Sequence, residues 1–270
     1  MLDIFRLGGG NVHDYIRFAP YLKKPDSNSL KITGVNPARI PGVWSLAGLN
    51  PKYRKNVFNL PGKSWGERLL LSGYMKDLGI KSEQKLLRKS NWNPAPGNGY
   101  GFIYDVKGAN TNNDWLCEWK MPFSLPYKQR LYMLNYDGHL ALRAKAPTDR
   151  NFHSNYEIVA ARRTKGKQKY LRSRFVAVSE LADPQSWTIR KVSKAVVRTG
   201  GNPADVVAVW VDLSDGRRDL IISCAKEMTV AVDRVKFSGQ RAFVRFKKNG
   251  AVECIAMEAS SELTVNGLSV

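Results

Sequence analysis

A compact polar cluster near the start of the chain contains residues suited to acid–base chemistry. It reads Gly8-Gly9-Gly10-Asn11-Val12-His13-Asp14-Tyr15. Imidazole and phenol groups are common general acids and bases, so His13 and Tyr15 are the candidate catalytic residues. In an extended strand these two side chains share one face, and the preceding glycines permit a bulge or a close backbone approach. The alternative interpretation is that His13 hydrogen-bonds locally, Tyr15 packs, and the glycines only form a turn.

The charge of the chain indicates an anionic partner. It carries 43 Lys and Arg against 23 Asp and Glu, a net charge of +20, and a potential of that size attracts polyanions. No carboxylate interrupts the lysines and arginines between 162 and 174. The residues predicted to pair with carboxylate or sulfate groups of a substrate are Arg6, Arg17, Arg162, Arg163, Lys165 and Lys167. The alternative is a solvated hairpin in which 156–163 leads in, 164–168 turns and 169–178 leads out.

The sequence gives no pattern typical of a metal site or a redox site. Its three histidines are far apart and lack paired ligand spacing, so we predict no metal and no cofactor. His139, beside a turn, and His153, in a polar loop, rank below His13 as catalytic candidates. Cys117, Cys224 and Cys254 have no C-x-x-C neighbour and are expected to be small buried hydrophobic residues.

Short strands joined by tight turns must position these side chains. Asp-Gly or Asn-Gly pairs at 137–138, 215–216, 249–250 and 266–267 tolerate the positive φ that hairpin turns require. Residues 131–134 and 140–142 alternate around the first pair, which predicts a hairpin. Further short segments rich in β-branched and aromatic residues lie at 175–178, 206–213, 220–222, 229–232, 243–246 and 252–257. We therefore predict an all-β fold, an antiparallel multi-layered β-sandwich.

The domain organisation is predicted to be one β-sandwich domain over 1–270 with an insertion at 36–98. Prolines and glycines recur in the insertion, and only 67–78 and 82–88 have helical periodicity. Too few apolar residues recur there to bury a separate core. In the sandwich itself, Trp115, Cys117 and Trp119 alternate along one presumed strand, so they are expected to share a core-facing side.

The chain contains no segment long and apolar enough to cross a bilayer, so no membrane partner is predicted. Its N-terminus lacks the basic-then-apolar order of a secretory signal. Alternation typical of a strand begins at once in residues 2–7. We expect from this that the sequence is cut from a longer one.

Residues 2–15 resemble a strand of the heparinase II/III-like polysaccharide lyases, whose pattern is D-x-F-R-v-x-G-G-x-x-H-D-Y. Segments 98–119, 173–180 and 206–223 resemble the C-terminal half of the same family, in the expected order. The resemblance implies a multi-layered β-sandwich that follows an α/α-toroid in complete enzymes. It also implies β-elimination on an acidic, uronic-acid-containing polysaccharide, and a periplasmic or secreted location.

The resemblance covers only some of the catalytic groups that this reaction needs. β-Elimination needs stabilisation of an enolate at the uronate carboxylate, a base for the C5 proton and an acid for the leaving oxygen. The family's toroid, with its Asn or His and its catalytic Tyr, and its upstream H-x-H-x-D strand do not occur in this sequence. The prediction is therefore a module that binds acidic polysaccharide and completes a cleft with an upstream toroid domain.

Two other function classes stay open from the residues alone. One is a noncatalytic basic β-sandwich that binds nucleic acid or acidic partner proteins. The sequence shows no helix-turn-helix, zinc-finger spacing or aromatic RNP-like strand, which makes nucleic acid the less favoured partner. The other is a structural domain without a ligand of its own.

Overall fold

The computed structural model of this chain describes residues 1–19, 30–40, 46, 103–121, 127–147, 155–183 and 185–269. Within these residues the secondary structure consists of antiparallel strands and a single-turn 3₁₀ helix at Pro203–Asp205. The strands are β1 (Leu2–Gly8), β2 (Val12–Phe18), β3 (Leu30–Thr33), β4 (Ala38–Arg39), β5 (Tyr104–Thr111), β6 (Trp115–Lys120), β7 (Lys128–Leu134), β8 (His139–Pro147), β9 (Asn155–Thr164), β10 (Arg172–Ala182), β11 (Ile189–Lys194), β12 (Val197–Thr199), β13 (Val206–Leu213), β14 (Arg218–Val232), β15 (Val235–Phe246), β16 (Val252–Val265) and β17 (Leu268–Ser269). The predicted all-β sandwich is confirmed.

The described residues group into two compact units. The first unit comprises Met1–Leu7, Tyr127–Tyr136 and Arg174–Val270, and the second comprises Gly8–Pro126 and Asp137–Ser173. Most of the insertion predicted at 36–98, including both helical segments, lies outside the described residues.

The first unit is a sandwich built around β13. Strands β11, β13, β14, β15, β16 and β17 form one sheet in that order, with β12 paired to β14, while β10 lies between β1 and β7. Val207 and Val209 of β13 pack with Val176 and Val178 of β10 between the two layers. The alternate residues of β13 face a second core, so this strand is buried on both sides and reads as a continuous apolar run.

The second core of the first unit forms where its large sheet bends. The pairing of β14 with β15 shifts register between Ser223 and Met228. Leu220 before the shift and Val230 after it belong to the same apolar cluster, together with Phe237, which is fully buried. The segments predicted as separate strands at 220–222 and 229–232 are therefore two halves of one long strand.

The second unit packs a five-stranded sheet, in the order β2-β9-β8-β5-β4, with the paired strands β3 and β6. One face of the five-stranded sheet buries Leu142, Ile158 and Ala160. β6 directs Trp115, Cys117 and Trp119 toward the other face of the five-stranded sheet, and all three side chains are buried. The predicted core-facing side of this strand is confirmed. Burial raises the pKa of the Cys117 thiol, while Arg143 of the sheet acts in the opposite direction.

Three of the four predicted hairpin turns are confirmed. Asp215-Gly216 joins β13 to β14, Asn249-Gly250 joins β15 to β16, and Asn266-Gly267 joins β16 to β17. The glycine φ angles are +90°, +83° and +78°. These conformations are the ones that glycine adopts at no steric cost.

The predicted hairpin at Asp137-Gly138 and the alternative hairpin at 164–168 are both wrong. Around Asp137-Gly138, β7 pairs with β10 while β8 pairs with β5 and β9. Around 164–168, β9 pairs with β2 and β8, whereas β10 pairs with β7. Turn chemistry is local, but the partner of a strand is set by which apolar faces are buried together. These two turns therefore change sheets.

The cysteine prediction holds for two of three residues. Cys117 and Cys224 are buried, whereas Cys254 is exposed on β16. The expectation of burial was wrong there because β16 lies next to the edge of its sheet and, among the described residues, is paired on its other side only near Val265. Among the described residues, no helix is long and apolar enough to cross a membrane.

Candidate functional site

A polar cleft of about 380 Å³ lies at one end of the five-stranded sheet in the second unit. β5 ends there, β8 begins there and β9 ends there, because Thr111 is registered with His139 and Leu140 with Arg162. Its walls carry amide, hydroxyl, carboxylate, imidazole and guanidinium groups. The lining residues are Asn110, Thr111, Asn112, Asp137, Gly138, His139, Leu140, Arg162, Arg163 and Thr164.

The Asp137-Gly138 turn shapes one wall of the cleft. Gly138 has a φ of +70°, and a Cβ atom at this position would lie 2.9 Å from the Asn112 amide oxygen. Glycine thus lets the Asn112 side chain approach the turn. On the same wall the Thr111 hydroxyl accepts a hydrogen bond of 2.9 Å from the backbone N–H of Asn113. This bond holds the end of β5 in a defined conformation.

His139 contributes an imidazole with a fixed tautomer. The indole N–H of Trp115 donates to His139 Nε2 at 2.7 Å, and both residues are buried. The two ring centroids lie 6.0 Å apart in an edge-to-face arrangement. Since an indole nitrogen can only donate, Nε2 of His139 accepts and the imidazole carries its proton on Nδ1 in this contact.

Arg162 is held in the cleft wall by a buried carboxylate. Its Nε and Nη2 donate to the two carboxylate oxygens of Asp14 at 2.8 and 2.9 Å, and its Nη1 donates to the Leu46 carbonyl at 2.9 Å. The Asp14 side chain is only 3% exposed. This bidentate geometry fixes the orientation of the guanidinium. Arg162 therefore shapes the wall with its charge already balanced.

Arg163, the next residue on β9, lies among a different set of partners. Its Nη1 donates to the Arg172 carbonyl, and the same atom lies 3.5 Å from the Ser173 hydroxyl and 3.5 Å from the Asp137 carboxylate. Ser173 is buried, whereas the Arg163 side chain retains 14% exposure. Arg163 thus connects the cleft to the start of β10.

Both ring nitrogens of His13 are engaged. Its Nε2 lies 2.6 Å from the Gly9 carbonyl oxygen, and its Nδ1 lies 2.8 Å from the Ser173 hydroxyl. A carbonyl only accepts, so Nε2 donates, and in the neutral ring Nδ1 accepts the Ser173 proton. Gly9 and Gly10 both have positive φ angles, which allow the chain to turn back so that the carbonyl meets the ring.

Tyr15 and Arg17 form a second pair on β2. The Arg17 Nε donates to the Tyr15 hydroxyl oxygen at 2.8 Å, and the guanidinium lies 5.5 Å from the centre of the ring. Tyr15 is buried, with 7% exposure. Burial raises the pKa of Tyr15 to about 12. The phenol therefore keeps its proton at neutral pH.

A basic loop, defined as residues 165–172, continues from the cleft wall at Thr164. It is anchored by a hydrogen bond of 2.8 Å from the Lys165 N–H to the Asn11 carbonyl. Lys167, Lys169 and Arg172 are exposed. Tyr170 is 55% exposed, with the Arg172 guanidinium 5.8 Å from its ring centre. The loop offers a row of cations and one aromatic face to an anionic ligand.

The structure brings together some of the predicted site residues and separates others. Arg162 and Arg163 line the cleft, Lys165 and Lys167 belong to the basic loop, and His13 meets Ser173 beside Arg163. Tyr15 and Arg17 pair with each other further along β2. In the first unit, Arg6 donates to the Ser223 hydroxyl at 3.1 Å and to its carbonyl at 2.6 Å. Burial lowers the pKa of Arg6.

Sequence reasoning missed Asn110 and Asn112 and ranked His139 below His13, although all three form the cleft opposite the arginines. Asn110, Asn112 and His139 come from the ends of β5 and β8. The available signal was the Asp137-Gly138 turn that His139 follows, but polar residues beside a turn are common and do not reveal a cleft. Within the described residues, no group of three or more His, Cys, Asp or Glu side chains is placed to hold a metal ion.

Comparisons with known proteins give no assignment for this chain. No protein-family model and no curated protein matches it. The resemblance of residues 2–15 to the heparinase II/III-like lyases stays a prediction that rests on the motif residues.

Proposed function

We propose that this chain is the β-sandwich module of a heparinase II/III-like polysaccharide lyase and binds acidic, uronic-acid-containing polysaccharide through its second unit. The observation that carries the proposal is the polar cleft of about 380 Å³ whose wall continues directly into the basic loop. Sugar hydroxyls need hydrogen-bonding groups and uronate or sulfate groups need cations. Both kinds of group occur here side by side.

The two parts of this surface divide the recognition between them. Asn110, Asn112 and Thr164 are exposed at the cleft and offer donors and acceptors that suit sugar hydroxyls. Lys167 and Lys169 are exposed with no carboxylate between them in the loop, so they are available to pair with acidic groups of a longer chain. An oligosaccharide that spans both parts gains from each.

The contacts of the candidate catalytic pair favour binding over chemistry by this chain alone. His13 donates to Gly9 and accepts from Ser173, so neither nitrogen is directed to a ligand. Tyr15 is buried and its pKa is raised to about 12, which disfavours a phenolate base. The proton-transfer groups of β-elimination are proposed to come from an upstream toroid domain, and the catalytic role of His13 and Tyr15 stays a prediction.

Binding of defined oligosaccharides tests the proposal. We expect heparin-like or alginate-like oligosaccharides to bind at near-physiological salt, and neutral dextran not to bind, when each is titrated into the chain by calorimetry. Reversing two loop charges with Lys167→Glu and Lys169→Glu should weaken binding by roughly two- to thirtyfold or more, because each exposed ion pair is worth about 0.2–1 kcal/mol and the new carboxylates add repulsion. Equal retention of acidic and neutral polysaccharide would contradict the proposal.

A matched variant separates the loop from the overall charge. Lys226→Glu with Lys248→Glu changes two exposed lysines of the first unit and gives the same net charge as the loop variant. We expect it to keep most of the affinity. If both variants lose affinity equally, binding follows the net charge and the loop is not the site.

The cleft has its own test. Asn110→Ala with Asn112→Ala removes two side-chain amides from the wall, and each net hydrogen bond is worth about 0.5–1.5 kcal/mol, so oligosaccharide affinity should fall roughly five- to a hundredfold. Duplex DNA, used as a second ligand, should be unaffected because it is held by charge alone. Tight DNA binding without oligosaccharide binding would favour the noncatalytic basic module.

A further inference from the structure

The outer edge of β16 in the first unit is open. β16 pairs with β15 along its length, but β17 covers only Thr264 and Val265. In the part of the chain that the structure describes, no strand pairs with this edge between Val252 and Leu263. An open edge presents unpaired backbone N–H and C=O groups, which readily pair with another strand.

The carboxylates of β16 are already balanced by neighbouring cations. Glu258 lies 2.6 Å from Arg241, while the distances of Glu262 from Lys236 and of Glu253 from Arg217 are 3.5 and 3.6 Å. On a chain with a net charge of +20, most surfaces repel a second copy. This edge is close to neutral, so repulsion between two copies is weakest here.

The central stretch of β16 is regular and apolar. The stretch from Cys254 to Glu258 is bounded on one side by the register shift opposite Arg245/Phe246 and on the other by Ala259, whose φ of +46° interrupts the extended strand. Cys254 and Ala256 are exposed, and Met257 is 44% exposed. Ile255, on the same face as Met257, packs against the core of the sheet bend. A strand added at this edge would extend that core and cover Met257.

We propose that two copies of this chain associate through β16, pairing antiparallel about a two-fold axis at Ala256. Ala256 is the midpoint of the regular stretch from Cys254 to Glu258. In this register, every residue of that stretch pairs with a residue of the same stretch in the second copy, and the irregular positions on either side lie outside the paired region. Ile255 then lies opposite Met257 of the second copy, which joins apolar residues across the interface. Cys254 lies opposite Glu258, so no like charges face each other.

The mass of the chain in solution tests the association. Light scattering after size exclusion should give twice the 30.4 kDa of one chain, with the dimer fraction rising with concentration. Ala256→Lys places two ammonium groups opposite each other at the axis and should convert the dimer to monomer. Ala251→Lys, at an exposed residue of the preceding turn, should leave it intact. Circular dichroism checks that both variants are folded.

A cross-link tests the register independently of that variant. With Cys254→Ser, the remaining cysteines are buried, and Ala256→Cys adds one exposed thiol. Directly opposite residues have Cα atoms about 4.5–5.5 Å apart, a distance that a disulfide can span. Mild oxidation should link Ala256→Cys chains covalently, and Ala251→Cys chains in the same background should stay unlinked.

Three results would overturn the proposal. The first is a chain that stays monomeric at every concentration, even if its β16 edge binds an extended peptide from another protein. The second is a dimer that Ala256→Lys leaves unchanged. The third is a dimer that gives no cross-link at 256.

Discussion

At the scale of single residues, three polar pairs of the second unit are satisfied by side chains within that unit, whereas the buried indole nitrogen of Trp119 has no partner among the described residues. The Trp115 indole meets His139, Asp14 meets Arg162, and the Ser173 hydroxyl meets His13. A buried polar group without a partner costs about 1–3 kcal/mol, so these pairs also determine which side chains can face the cleft. The side-chain amides at the end of β5 and the lysines of the basic loop are therefore the groups available to contact a ligand.

Tyr15 should make stability depend on alkaline pH. Burial raises its pKa from 10.0 to about 12, so the folded state holds the phenol proton more tightly than the unfolded chain. The resulting stabilisation is fully present below pH 10 and is lost as the pH rises toward 12. We expect the free energy of unfolding to fall more steeply over this range in the wild type than in Tyr15→Phe, as measured by urea unfolding.

A second tyrosine provides the control for that measurement. Tyr170 belongs to the same unit but is 55% exposed. Tyr170→Phe should therefore keep the wild-type dependence of the free energy of unfolding on pH. Indistinguishable slopes for wild type and Tyr15→Phe would show that burial of this phenol is not linked to stability.

At the scale of elements, long bent strands organise the first unit. β14 and β15 each contribute to both halves of one core, and the bend occurs where Met228 is registered with Gly239. A Cβ atom on Gly239 would lie 2.5 Å from Ser260 Cβ and 2.7 Å from a ring carbon of Phe237. The bend therefore depends on the absence of a side chain at this position.

Alanine substitutions at three glycines should rank by this geometry. Gly239→Ala combines close contacts with a positive φ and should cost about 2–4 kcal/mol in the free energy of unfolding. Gly267→Ala has open space but a φ of +78°, so about 1–2 kcal/mol is expected. Gly200→Ala has neither feature and should stay within about 0.5 kcal/mol. Chemical denaturation of the three variants checks the order, and a Gly239→Ala protein as stable as Gly200→Ala would contradict it.

At the scale of the whole molecule, the excess of positive charge determines how ionic strength changes polyanion binding and the association of two copies. Several carboxylates are already paired, as in Arg245 with Asp219 at 2.7 Å and Arg218 with Asp212 at 2.8 Å. The net charge of +20 is thus concentrated in cations that lack such partners, among them the exposed lysines of the basic loop. Salt screens both their attraction for a polyanion and the repulsion between two copies.

Salt should therefore have opposite effects on the two proposed interactions. The affinity for an acidic oligosaccharide should fall as salt rises, and Lys167→Gln with Lys169→Gln should lower the slope of log affinity against log salt by about 2, one for each released counterion. The dimer fraction should instead increase with salt. Titrations and light scattering over the same salt series measure both. An oligosaccharide slope unchanged by the loop variant would exclude these lysines from the contact.

Local features of this protein follow from the amino-acid sequence without knowledge of the fold. Segments rich in β-branched and aromatic residues located many of the strands, although not short ones such as β3, β4, β11 and β12, and Asn-Gly or Asp-Gly pairs located three hairpins. Both signals depend on the conformational preferences of neighbouring residues. The uninterrupted cations at 162–174 and the core-facing side of β6 could be read from the sequence in the same way.

The pairing of strands and the contacts between polar groups depend instead on residues far apart in the chain. β7 and β8 flank a good turn signal yet enter different pairings, because each strand buries its apolar face against residues distant in sequence. The partners of His13 and Arg162 lie 160 and 148 residues away, at Ser173 and Asp14. The cleft likewise exists only because the ends of β5, β8 and β9 come together, a long-range arrangement that no local pattern encodes.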